Sequence, residues 1–87
     1  MSAPPRLEYP TDYPIKVVGR ATEALRAEID AIMVKHVADF DASGTLERLS
    51  ANGRFLALSY RIRAVNEKQV EALAAELRAA ESVLLVF

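Results

Sequence analysis

The chain contains no cysteine. This absence excludes disulfides, thiolate nucleophiles and the common zinc-binding patterns, and it suits a reducing cytosol. The single histidine, His36, has no second histidine or thiol with which to share a metal ion, and no serine or cysteine nucleophile accompanies it. We therefore predict a structural role for His36 near the C-terminus of a helix, where a protonated ring is favoured.

The chain also lacks long apolar runs and an excess of either charge. No run approaches the roughly 18 residues of a membrane-spanning helix, and the first residues form no apolar signal core. Lysine and arginine number 11 against 12 acidic residues, which argues against a nucleic-acid binder that works by bulk electrostatics. We expect a cytoplasmic protein that binds neither membranes nor nucleic acid.

Catalytic and cofactor-binding signatures are absent as well. We find no nucleophile–base pair, no phosphate loop and no dinucleotide fingerprint. Segment 39–44 imitates the first half of an EF-hand calcium loop, but Ser50 occupies the position that needs a bidentate glutamate. We interpret this segment as a solvated turn, and we expect Glu71 and Glu76 to be solvated on a helix face. The sequence thus predicts a protein that is not an enzyme and has no cofactor and no metal.

Hydrophobic residues make up 52% of the 87 positions, which is ample for one compact core. Period-two alternation predicts strands, and apolar residues at helical spacing predict helices. The predicted segments, in chain order, are an N-terminal arm at 1–12, a strand at 13–19, a helix at 23–38, a polar loop at 39–44, hairpin strands at 45–50 and 55–64, a helix at 67–80 and a strand at 82–87. Asn52-Gly53 predicts the hairpin turn. Thr22 and Asn66 are the expected N-caps of the helices.

This order of elements predicts an α+β fold in which residues 13–87 form one domain, a two-layer βαββαβ ferredoxin-like sandwich. Right-handed crossovers place both helices on one face of a four-stranded antiparallel sheet, with the first and third strands central. Within 55–64, alternation assigns Leu58 and Ile62 to the side that faces the helices. Arg61 and Arg63 then belong to the other side, the open face of the sheet.

Lys16, Phe55, Arg61 and Arg63 form the candidate interaction face on that open side. Three interpretations remain: docking of a protein or acidic ligand, binding of RNA, or charges that only keep the face soluble. RNA is disfavoured, because the first strand offers Lys16 and Val18 there and no aromatic ring for a base to stack on.

The last strand is apolar on both faces and is predicted at a sheet edge, where an uncharged strand invites pairing with another chain. One alternative is strand-to-strand pairing in a homodimer. The other is that the N-terminal arm covers this strand through Leu7 and Tyr9.

Several short segments resemble the YbeD family of small bacterial proteins of unknown function. The resemblance runs from residue 7 to residue 87 and is carried by Leu7–Thr11, Lys16–Gly19, His36, Gly53–Phe55, Gln69–Glu71 and Glu76–Leu77. It implies a fold similar to the ACT regulatory domains of amino-acid metabolism. Those domains commonly bind an amino acid near the first strand–helix loop, often where two domains meet. Gly19 matches the glycine that ends the first strand there, so the resemblance implies a ligand loop at Gly19, Arg20 and Thr22.

Two functions follow as expectations. The first is a small regulatory or ligand-sensing domain, ACT-like and non-catalytic, whose partner is a small-molecule effector. The alternative is an adaptor that docks on an unknown protein partner through the open face of its sheet.

Overall fold

Four strands and two helices follow one another in the order β-α-β-β-α-β. The computed structural model describes residues 8–87. Its elements are β1 (Thr11–Arg20), α1 (Glu23–His36), β2 (Leu46–Leu49), β3 (Phe55–Ala64), α2 (Glu67–Ala79) and β4 (Val83–Val86), with a short 3-10 helix at Ala42–Gly44. The strands form one antiparallel sheet in the order β2-β3-β1-β4. The predicted fold, with the first and third strands central, is confirmed.

The core lies between the sheet and the two helices. Its buried side chains come from both central strands, both helices and the residue after α1: Ile15, Val17, Leu25, Ile29, Met33, Val37, Leu58, Tyr60, Ile62, Leu73 and Leu77. Burial of one large apolar side chain contributes about 1.5–3 kcal/mol to folding. Since Leu58 and Ile62 are buried and Arg61 is exposed, the alternation read from 55–64 is confirmed.

Both helices begin at the predicted caps. The Thr22 hydroxyl accepts a hydrogen bond from the backbone N–H of Leu25, and the Asn66 side chain accepts one from the N–H of Gln69. Each cap satisfies a donor that has no partner within its helix. Helix α1 ends two residues before the predicted position 38, because Val37 takes an extended conformation with φ −120°.

Strand β1 begins earlier than the predicted residue 13. Thr11 pairs with Ala64 at the end of β3, so the long third strand provides partners for two residues assigned to the arm. Residues 1–7 of the predicted arm, with Leu7 among them, lie outside the described residues.

The hairpin turn lies where Asn52-Gly53 predicted it, but its geometry differs. Of these two residues only Gly53 has a positive φ, 73°. The Asn52 side-chain oxygen instead accepts hydrogen bonds from the Ser50 hydroxyl (2.8 Å) and the Arg54 N–H (3.0 Å). The backbone N–H of Ser50 donates to the carbonyl of Phe55 at 2.8 Å. The connection is therefore a longer loop stabilised by a side chain.

Candidate functional site

One face of the sheet carries the helices, and the other face is covered by no element among residues 8–87. In β1, Ile15 and Val17 point to the helices, so the alternate residues point away. Directly opposed residues share a face, which extends the assignment to the neighbouring strands. We call the resulting surface the open face; its residues are Asp12, Pro14, Lys16, Val18, Arg20, Leu46, Arg48, Phe55, Ala57, Ser59, Arg61, Arg63, Leu85 and Phe87.

The four residues predicted for interaction, Lys16, Phe55, Arg61 and Arg63, all belong to the open face and are exposed. They do not form one cluster. Phe55 lies opposite Arg20 at one end of β3, whereas Arg63 lies at the other end. Eight residues of extended strand separate the two by roughly 27 Å. Their role in binding stays a prediction.

The register adds residues that the sequence analysis did not place on this face. Arg48 lies opposite Ala57, and Leu46 lies opposite Ser59. Leu85 lies opposite Val18. Alternation within β2 or β4 could not have shown this, since each is only four residues long and the register depends on the neighbouring strand.

Several large apolar side chains of the open face are exposed to solvent. Leu46 is 72% exposed, Phe87 68%, Leu85 53% and Phe55 39%. Two depressions lie on the same side of the sheet. One, of about 480 Å³, is lined by residues that include Pro14, Leu46 and Arg61. The other, of about 170 Å³, is lined by residues that include Val18, Arg48 and Phe55. The surface is therefore an uneven apolar and cationic platform.

The predicted ligand loop, Gly19, Arg20 and Thr22, is closely packed at its first residue. A Cβ at position 19 would lie 2.6 Å from Leu25 Cδ1 and still closer to the carbonyl oxygen of Ser82. The N–H of Arg20 donates to that same Ser82 carbonyl, and the Thr22 hydroxyl is engaged in capping α1. The loop thus has a structural reason for its glycine, and its exposed side chains are those of Arg20 and Thr22. Ligand binding there stays a prediction.

A polar cluster at the edge of the core was not found from the sequence. Arg26 of α1 forms an ion pair with Asp30 at 3.0 Å, pairs with Glu47 of β2, and donates to the carbonyl of Ala42 at 3.3 Å. The Tyr60 hydroxyl donates to Asp30 at 3.3 Å. Burial, followed by the nearby Asp30 charge, raises the pKa of Tyr60. This cluster connects the edge strand β2 to helix α1.

His36 and Glu76 connect the two helices. Glu76 of α2 pairs with the His36 ring and with Lys35 Nζ, the latter at 2.6 Å. The hydrogen bonds from Lys35 and then His36 lower the pKa of the Glu76 carboxyl. The expectation that Glu76 is simply solvated is wrong, because the crossing of the helices brings Lys35 and His36 of α1 within reach. His36 takes part in packing the helices together, as its predicted structural role requires.

Segment 39–44 is a capped turn in the structure. The Asp41 carboxylate accepts from the N–H of Ser43 at 2.9 Å, and its hydrogen bonds with Ser43 lower the pKa of Asp41. Among residues 8–87, no three His, Cys, Asp or Glu side chains are grouped so that they could hold a metal ion. Neither of the described helices is long and apolar enough to cross a membrane.

Comparison with known protein families gives one match across nearly the whole chain. Residues 4–87 match the model of a family described as "Protein of unknown function (DUF493)". A "UPF0250 protein" of Ectopseudomonas mendocina is 38% identical over 84 residues, which cover 95% of this chain and 91% of the relative. A second, from Hahella chejuensis, is 35% identical over 82 residues, which cover 94% and 90%.

Solved structures with the same architecture include domains of two other bacterial proteins. The C-terminal domain of the MgtC protein from Mycobacterium tuberculosis superposes with a TM-score of 0.69 at 20% identity, covering 87% of this chain and 82% of that one. The ACT domain from GTP pyrophosphokinase of Chlorobium tepidum gives 0.62 at 23% identity, covering 88% and 97%. At these identities the likeness shows the fold, which is ACT-like.

Proposed function

The chain belongs to the DUF493 family of proteins of unknown function, and we propose that it acts as a small, non-catalytic regulatory domain that docks on a partner protein through the open face. Its membership confirms the resemblance to small bacterial proteins of the YbeD kind. A cytoplasmic location is part of this proposal, since a cysteine-free chain suits a reducing compartment.

The exposed apolar side chains of the open face carry the proposal. Leu46, Leu85 and Phe87 are each more than half exposed, and Phe55 adds an aromatic ring to the same surface. Several large apolar side chains exposed on one face of a small domain favour an interaction site, because their contact with water costs free energy that a partner would recover. Aromatic residues and arginine, both present here, are enriched where proteins bind one another.

The proposal that the domain is non-catalytic is supported by the hydrogen bonds of two titratable side chains at the edge of the core, His36 and Tyr60. His36 contacts Glu76 across the two helices, and Tyr60 donates to Asp30. Both groups therefore contribute to packing between elements. His36 lines neither depression of the open face. Tyr60 borders the larger one, but its hydroxyl is engaged with Asp30, so it is not positioned there as the free acid or base that acid–base catalysis requires.

The docking proposal is tested by partner capture with the full chain and matched variants. Wild type, Phe55→Ala, Arg61→Glu and the control Lys68→Glu are used as bait in cytosol of the native bacterium, and captured proteins are quantified by mass spectrometry. Lys68 is exposed on α2, away from the open face, and its reversal changes the net charge as much as Arg61→Glu does.

A partner that docks on the open face should be retained by wild type and Lys68→Glu and lost from Phe55→Ala, from Arg61→Glu or from both. With the purified partner, we expect Phe55→Ala to weaken binding roughly 30-fold, the equivalent of about 2 kcal/mol for loss of an interface anchor. Equal retention by all four folded baits would refute docking through this face.

Small-molecule sensing at the loop of Gly19, Arg20 and Thr22 is the second candidate, favoured by the ACT-like fold and by the exposed side chains of Arg20 and Thr22. A panel of amino acids and small acids is added to wild type and to Arg20→Ala, and the melting temperature is measured. A ligand at 100 times its Kd stabilises the folded state by about 2.7 kcal/mol. Absence of stabilisation by every member at millimolar concentration would count against sensing.

A further inference from the structure

The charges of this chain are distributed unevenly between its two layers. Five basic residues within 8–87 belong to the open face, namely Lys16, Arg20, Arg48, Arg61 and Arg63. All 12 acidic residues also lie within 8–87, and Asp12 is the only one of them on that face. The open face is therefore strongly cationic, although the net charge of the chain is −1. The basic character is a property of this surface and not of the composition.

Most of these cations have no carboxylate of their own. Asp12 lies 3.6 Å from Arg63 in an exposed ion pair. No ion pair found within residues 8–87 includes Lys16, Arg20, Arg48 or Arg61. Four positive side chains of the open face thus extend into solvent with their charges uncompensated by the described part of the chain.

Cations and apolar groups are neighbours on the open face. Ala57, Val18 and Leu85 lie side by side across β3, β1 and β4, and Arg48 continues that row on β2. In the next row, Lys16 lies beside Phe87, with reciprocal backbone hydrogen bonds of 3.2 and 2.8 Å between the two residues. A complementary surface must therefore offer negative charges and apolar side chains at neighbouring positions.

A second copy of the chain does not meet this requirement through the same face. A two-fold contact would set the cations of one open face against those of the other, and like charges brought together oppose binding. Nucleic acid fits poorly as well, because the centre of the face presents Val18 and Ala57, with the aromatic rings of Phe55 and Phe87 at its margins.

We propose that the occupant of the open face is an acidic segment of another protein, in which Asp or Glu side chains flank apolar ones. The inference rests on the proposed docking function and specifies the chemistry of its partner. Carboxylates of the segment pair with Lys16, Arg20, Arg48 and Arg61, and its apolar side chains cover Val18, Leu85 and Phe87. Attraction between opposite charges orients the segment, and burial of apolar area holds it.

Site-specific photo-crosslinking in the native bacterium identifies the segment directly. A photoreactive amino acid replaces Leu85 on the open face or, as the control, Val34, which is 65% exposed on α1. After irradiation, the crosslinked peptide is sequenced by mass spectrometry. We expect a crosslink from position 85 to a segment rich in Asp and Glu, and none to that segment from position 34.

Charge reversal and salt then test the electrostatic part of the inference with the purified partner. The double variant Lys16→Glu/Arg61→Glu should bind at least about tenfold more weakly than wild type, whereas Lys68→Glu should bind like wild type. Affinity should also fall as ionic strength rises, since salt screens exposed charges over about 8 Å at 0.15 M.

The experiments distinguish a partner segment that is not acidic from the absence of docking on the open face. A crosslink to a neutral or basic segment, with affinity insensitive to salt and to the double reversal, would overturn the acidic partner but leave docking intact. A crosslink from position 85 to a second copy of the chain or to RNA would overturn both the acidic partner and the protein docking proposed above. No crosslink from position 85, together with equal capture by all open-face variants, would also overturn both.

Discussion

The substitution Gly19→Ala tests whether packing around position 19 requires a glycine. The new Cβ would lie 2.6 Å from Leu25 Cδ1, and carbon atoms in ordinary contact are about 3.5–4.0 Å apart. Leu25 is fully buried and has to move by about 1 Å to relieve the overlap. The other neighbour, the Ser82 carbonyl, is backbone that accepts the Arg20 N–H at 3.2 Å. It cannot retreat without disturbing the pairing of β1 with the entry to β4.

The expected decrease in the free energy of unfolding follows from crowding in a closely packed core. An added methyl group that forces such shifts typically destabilises by about 1–3 kcal/mol, and we expect about 2 kcal/mol for Gly19→Ala because one of its two neighbours is backbone. For a domain of this size, that corresponds to a decrease in Tm of roughly 8–16 °C.

Urea denaturation followed by circular dichroism measures the free energy of unfolding, with the other two glycines as controls. A methyl group added at Gly44 would have no neighbour within 4 Å, so Gly44→Ala should change stability by no more than about 1 kcal/mol. Gly53 also has open space but a φ of +73°, so Gly53→Ala should cost about 1–2 kcal/mol through its backbone alone. A free energy for Gly19→Ala within about 0.5 kcal/mol of wild type would refute the packing argument.

Two further perturbations test the contacts of the helices. Asn66→Ala removes the acceptor for the N–H of Gln69 and should lower the free energy of unfolding, measured by urea denaturation, by about 0.5–2 kcal/mol. The control Asn66→Asp keeps the acceptor and should be nearly as stable as wild type. Equal stability of all three proteins would contradict the capping role of Asn66. Lys35, followed by His36, lowers the pKa of Glu76 below its ordinary value of 4.5, so the stabilisation is fully present above pH 4.5 and is lost as pH falls through the lowered pKa. Wild type should therefore lose more stability on acidification than Glu76→Gln, and parallel pH profiles of the two proteins would contradict the pairing.

Local patterns were sufficient for most of the secondary structure. Thr22 and Asn66 cap their helices as predicted because a cap depends on residues only three positions apart. The turn at Asn52-Gly53 was located correctly for the same reason, although the Asn52 side chain and not a positive φ at Asn52 shapes it. The start of β1 was less accurate, since it depends on whether a distant strand offers hydrogen-bond partners.

The candidate site was only partly predictable. Alternation placed Lys16, Arg61 and Arg63 on the side away from the helices, and the register confirms that placement. It did not show that Phe55 and Arg63 lie at opposite ends of the face, nor that Arg48 joins it. Such relations require the alignment of separate strands, which the pattern within one strand does not contain.

By itself, the sequence determined which side of the third strand is buried, where the helices start, and that four strands and two helices form two layers. Only the tertiary structure decided which charges meet. Glu76 is 40 residues from His36 along the chain, and Tyr60 is 30 from Asp30. Periodicity describes how one element presents its side chains, because it arises from local backbone geometry. The pairing of distant side chains depends on the register of the sheet and the crossing of the helices, which packing of the whole core establishes at once.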